Sequence, residues 1–171
     1  MEKYFYNKEM EIEIVVQGDF DNFREFSDVF YFFTKFDNIY NSFQTGDHHR
    51  NAYYTKRPPK TQLVSVTKGS LVIGAFIEQH WLELLLFFIS VNLTDVRKNV
   101  KTNLSLIDEL IIKVEDTLKE KAEDFLEVEK EKMLDILRQF DRLSDDVKQI
   151  YLNHINRSKK ILNKIKRIRR K

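Results

Sequence analysis

KGSLVIGAFIEQHWLELLLFFISVNL, Lys68 to Leu93, decides how the chain is read: it is either a membrane span or a strand that runs into a buried helix. A bilayer span needs about 20 mostly apolar residues. This run is interrupted in its middle by Glu78, Gln79, His80 and Glu83, and each charge at bilayer depth costs roughly 2.5 kcal/mol or more. The unbroken part, Leu84 to Val91, reaches only about 12 Å as a helix. A strand ending near Phe76 and a helix from about Ile77 to Val91 are therefore expected. That helix is apolar on nearly every side, so other parts of the molecule, or a second copy, must cover every side.

Working outward, QLVSVT, the turn KGS and LVIGAF read as a β-hairpin, with Gly69 suited to the positive φ of a tight turn. Upstream, EIEIVVQG alternates Ile12 and Ile14 against Glu11 and Glu13 and stops at Gly18, the pattern of a half-buried strand. Between strand and hairpin lies DFDNFREFSDVFYFFTKFDNIYNSF. Phe26, Phe30, Phe33, Tyr40 and Phe43 recur there at helical spacing and predict one apolar face. Eight of the 14 phenylalanines fall between Phe20 and Phe43.

Downstream, the 97 residues from Ala75 to Lys171 contain neither Gly nor Pro, which predicts helix divided only by caps. Ser105 with Asp108 starts one, whose stripe runs through Ile107, Ile111, Val114, Leu118, Ala122 and Phe125. Ser144, followed by Asp145 and Asp146, starts a second, with Val147, Ile150, His154, Ile161, Ile165 and Ile168 in line. Helices of about 35 and 25 residues should pair as a hairpin or coiled coil. The expected fold is α+β: a βαββα head over residues 1–95, then a helical extension over 96–171 with a basic C-terminal tail.

The order strand, helix, hairpin, apolar helix resembles half of a ferredoxin-like unit. The stretch VSVTKGSLVIG, Val64 to Gly74, is similar to small uncharacterised bacterial βαββα proteins in which an S-V-x-K-G-S hairpin precedes an apolar helix. That resemblance implies the head fold and brings no activity or site with it.

The composition narrows the chemistry. At 171 residues the chain can build a core without disulfides or metals. It has no cysteine, which excludes a disulfide framework, a thiolate nucleophile and thiolate metal ligands. MEKYFYNKEM has no apolar signal region, so a cytoplasmic protein, peripheral to a membrane at most, is expected. The loop TGDHHRNAYYTKRPPK gathers His48, His49, Arg50, Tyr53, Tyr54 and Arg57. Adjacent histidines could act as acid and base or hold a metal, but neighbouring side chains diverge and no further ligand shows the spacing that would complete a site. A recognition surface is a better reading than chemistry, with an ordinary solvated loop as the alternative. No catalytic residue, metal site or cofactor is expected.

The strongest functional signal is charge. The net charge of +2 conceals nine Lys and Arg, and no acid, in residues 157–171. They are Arg157, Lys159, Lys160, Lys164, Lys166, Arg167, Arg169, Arg170 and Lys171. With Ile161, Ile165 and Ile168 on one helical face and cations opposite, the tail reads as a basic amphipathic helix. Such a helix contacts phosphate backbones electrostatically or lies on an anionic membrane. The function that follows is a non-enzymatic, homo-oligomeric accessory or effector subunit of a bacterial assembly whose tail contacts nucleic acid. A membrane-acting effector that uses the 77–91 helix and the tail is the alternative, and a further protein partner fits either.

Overall fold

Ile12, Ile14 and Val16 are buried while Glu11, Glu13 and Val15 turn the other way, and this alternation forms β1 (Met10–Gln17). The computed structural model describes residues 10–48, 60–77, 80–93, 103–125 and 130–171. In it β1 leads into α1 (Phe23–Thr45), then β2 (Lys60–Val66), β3 (Ser70–Ile77) and α2 (Trp81–Asn92). Four more helices follow: α3 (Asn103–Lys121), α4 (Lys130–Asp141), α5 (Asp145–Arg157) and α6 (Lys159–Lys164). The chain ends in a strand, β4 (Ile165–Arg170). The protein is α+β, with one antiparallel sheet in the order β2-β3-β1-β4.

α2 answers the opening question. Every residue from Trp81 to Val91 is buried. α3, α4, α5 and α6 all pack against α2, and Trp81 and Phe88 meet the rings of α1. No helix among the described residues is long and apolar enough to cross a membrane. Ser90 Oγ donates to Leu86 O at 2.8 Å and Thr117 Oγ1 to Lys113 O at 2.7 Å, with the two oxygens 3.2 Å apart, so each buried hydroxyl across the α2–α3 contact is satisfied by its own helix. Glu83, also buried, lies 3.7 Å from Lys132 on α4.

Local signals explain most helix ends. Asn22 caps α1 by accepting from Arg24 N at 2.9 Å. Gly46, at φ 76°, closes α1 in the left-handed region that suits glycine. Ser144 caps α5 through Val147 N as the sequence predicts. The face of α1 centres on Phe32, Phe33 and Phe36, which touch Trp81 or one another; Phe30, expected inside, is partly exposed.

Three expectations are corrected. Gly69 does not use positive φ; Gly46 is the glycine that does so among the described residues. The hairpin closes instead through Thr67 N donating to Ser70 O at 2.8 Å, with the two hydroxyls 2.9 Å apart. The two long helices are broken into shorter ones: a 3-10 turn at Glu123–Phe125 follows α3, and the second run, started by Ser144 as expected, breaks at Ser158 between α5 and α6. Most consequentially, the basic tail is not a helix beyond Lys164. It pairs with β1, placing Ile168 opposite Ile14 and Ile165 opposite Val16, with a bulge between. Head and extension consequently share one buried cluster that runs from Ile12 to Ile168.

Removing β4 uncovers one side of β1 and the buried Ile165 and Ile168. A chain ending at Lys164 is expected to lose cooperative unfolding, followed by the fluorescence of Trp81, the single tryptophan. Ile168→Ala should destabilise by about 2–4 kcal/mol. A truncated chain that unfolds as sharply and at the same denaturant concentration as the full one would refute this role.

Candidate interaction surfaces

The nine tail cations divide into two sets. On the sheet face away from the helices, Glu13 stands opposite Arg169 in the β1–β4 register. Arg169 Nε donates to Glu13 Oε2 at 2.7 Å, and Lys171 pairs with Glu11 at 3.0 Å, raising the lysine's affinity for its proton. These are cross-strand opposite-charge pairs that help fix register. Lys164 reaches Glu25 at 3.0 Å, and its hydrogen bond holds that carboxyl below the usual range. Arg170 lies over the Phe125 ring, 5.0 Å from its centroid. Arg157, Lys159, Lys160, Lys166 and Arg167 are exposed and form no ion pair among the described residues. The isoleucines assigned to a membrane-facing stripe, Ile161, Ile165 and Ile168, are all buried, so the apolar half of the amphipathic reading is turned into the core.

The two edges of the sheet differ. β4 is guarded. Its Arg170 N–H donates to Asp124 Oδ2 at 3.1 Å, its Ile165 carbonyl accepts from Lys121 Nζ at 2.8 Å, and α3 and the 3-10 turn pack beside it. β2 is open. Every residue from Thr61 to Val66 is exposed, and the run TQLVSV has no charge. Leu63, Val64 and Val66 are 46 %, 46 % and 44 % exposed. Val64 sits in a bulge opposite β3 and lies over Gly74, where an added Cβ would stand 3.1 Å from its Cγ2. TQLVSV reads as a neutral, β-prone run in the sequence, and that pattern is the same whether or not another segment covers it.

Of the predicted recognition loop, His49, Arg50, Tyr53, Tyr54 and Arg57 lie outside the described residues. His48 is described, and its Nδ1 is hydrogen-bonded to Tyr151 OH on α5. Phe43 and His154 flank that tyrosine, and burial raises its pKa. The pKa of His154 is lowered by burial and by the charges of Lys35 and Arg157. His48 thus ties the end of α1 to α5. Among the described residues, no three His, Asp or Glu side chains converge as metal ligands. A cleft of about 500 Å³ opens where β4 begins, lined by Gln17, Glu120, Glu123, Lys164, Lys166 and Arg167; its mixture of signs offers no single-sign field.

Sequence reading missed one titratable group. Asp37, 7 % exposed, accepts from Trp81 Nε1 at 2.8 Å. Burial pushes its pKa up to about 7, against the opposing effect of the Trp81 hydrogen bond. Compared with known protein families, with curated proteins and with solved structures, the chain matches none.

The raised pKa has a pH signature. The folded state holds this proton more tightly than the unfolded chain, so the stability it contributes is complete below about 4 and is lost as pH rises through about 7. Asp37→Asn keeps an acceptor for Trp81 and removes the titration. The variant is expected to match the native chain at pH 4 and to exceed it by roughly 2–4 kcal/mol at pH 8 in denaturant melts. An equal difference at both pH values would contradict this assignment.

Proposed function

We propose that the protein is a non-enzymatic, self-associating accessory subunit that works by contact rather than by chemistry. The observation that carries this reading is the edge strand β2, which has no strand beyond it among the described residues and exposes Leu63, Val64 and Val66, in a sheet whose other edge is guarded. Exposed neutral edge strands are templates for pairing with another chain. In this reading the head is a split β–α–β arrangement of ferredoxin-like type, β1-α1-β2-β3-α2 closed by β4, with α3 to α6 inserted before the last strand. The insertion covers α2, which leaves β2 as the edge available for assembly.

A second, electrostatic contact is supported by the five exposed cations that form no ion pair among the described residues, Arg157, Lys159, Lys160, Lys166 and Arg167. They suit a phosphate backbone, contacted without base reading. A bilayer role through Ile161, Ile165, Ile168 or α2 would require those buried residues to leave the core.

Light scattering on a size-exclusion column is expected to give a mass above 20.6 kDa at micromolar concentration; a clean monomer at 100 µM or so would overturn self-association. Duplex DNA binding, measured against salt, should show a log–log slope of about −4.5 if all five cations engage. A slope near zero, or no binding at low salt, would remove the phosphate contact.

A further inference from the structure

We infer that the partner at β2 is the β2 strand of a second copy, paired antiparallel about a two-fold axis so that two sheets join into one of eight strands. The inference rests on the self-association proposed above and adds its location and its limit. Three observations point to a second copy in a closed pair. The run Thr61–Val66 carries no charge, so placing it beside itself brings no like charges together. The β4 edge is obstructed by Asp124, Lys121 and the 3-10 turn. A head-to-tail β2-to-β4 contact, which would propagate into a filament, is therefore blocked, whereas β2 to β2 uses up both open edges. The apolar side chains needed beside a strand pair are present as well. A seven-residue strand is short for an interface, and stable dimers bury about 1,200–2,000 Å² in total. Leu63 and Val66 supply exposed apolar surface on the strand itself.

α1 carries further exposed apolar surface. β1 ends beside the hairpin turn, where Gly18 N donates to Gly69 O at 3.1 Å, so α1 begins at the same end of the sheet as Val66. Phe23 at that end is 87 % exposed, and Phe26 and Phe30, their rings 4.8 Å apart, share its flank of the helix. The bulge at Val64 adds twist to the edge and leaves Lys60–Leu63 as the regular run. The strand-to-strand contact is accordingly short, and the flanking Leu63 and Val66 carry much of the association.

The chain has no cysteine, so single cysteines report the contact directly. Thr61→Cys, Leu63→Cys and Ser65→Cys are placed one at a time on the full chain, with Ile112→Cys, on an exposed site of α3, as the control. Under mild oxidation at least one β2 cysteine is expected to form a disulfide-linked dimer at least about tenfold faster than the control, as cross-strand Cβ separations allow. Leu63→Lys combined with Val66→Lys, both exposed and tolerable to the fold, should weaken dimerisation at least about 100-fold by sedimentation, with near-ultraviolet dichroism unchanged. Arg167→Glu, on the opposite edge, should not weaken it. A native chain that stays monomeric overturns both this inference and the self-association beneath it. A native dimer that survives the double lysine variant, with no β2 cross-link above control, overturns the β2 location alone. A mass that grows with concentration beyond two copies overturns the closed pair.

Discussion

A helix apolar on every side cannot end folding half covered, and that requirement organises this molecule. α2 buries Trp81 through Val91 without a polar flank to offer water. Each fully buried Leu or Phe on it contributes about 1.5–3 kcal/mol only if something encloses it. A sheet covers one side of such a helix and α1 another; the remaining circumference requires α3, α4, α5 and α6. The chain after residue 100 is thus a wrap around α2 more than an appendage. Its final turn brings Ile165 and Ile168 back to β1 and completes the sheet. Polar exceptions within this core have partners: Glu83 lies 3.7 Å from Lys132, Trp81 donates to Asp37, and Ser90 donates to Leu86 O beside Thr117.

The wrap also sets what remains on the surface. Because β4 is drawn in from the end of the chain and edged by the 3-10 turn, its cations are partly consumed by Glu11, Glu13 and Glu25. Of the nine charges that looked like a tail, four make register and packing contacts and five form no ion pair among the described residues. The opposite edge receives no such cover. A sheet that guards one edge with hydrogen bonds and charges and leaves the other neutral and bare treats its two sides differently, and the difference is a property of this fold that no composition count displays.

Much of the fold was legible because the relevant signals were local. Alternation in Ile12 and Ile14, the TKGS hairpin and the interruption of the apolar run by Glu78 to Glu83 placed β1, β2, β3 and α2. Ser144 announced α5. The tail failed for a definable reason. Ile165 and Ile168 stand three apart, which reads as one face of a helix; a strand with one bulged residue gives the same spacing, since the extra residue shifts the period from two to three. The absence of Gly and Pro misled in the same direction, because a 3-10 turn and a serine cap break helices without either. Asp37 and the openness of β2 were illegible because burial depends on which distant segments arrive, and periodicity does not record that. Of the loop read as a recognition surface, only the placement of His48 against Tyr151 is described.

Amide hydrogen exchange on the full chain tests most directly whether α2 and the returning strand are one unit. If β4 is integral to the enclosure of α2, the β4 amides bonded to β1 exchange by the same global opening as those of Leu84 to Ile89, with equal opening free energies and equal denaturant dependence. β4 amides that exchange orders of magnitude faster than α2, through a local opening indifferent to denaturant, would mean that the C-terminal segment is an appendage and that α2 is enclosed without it.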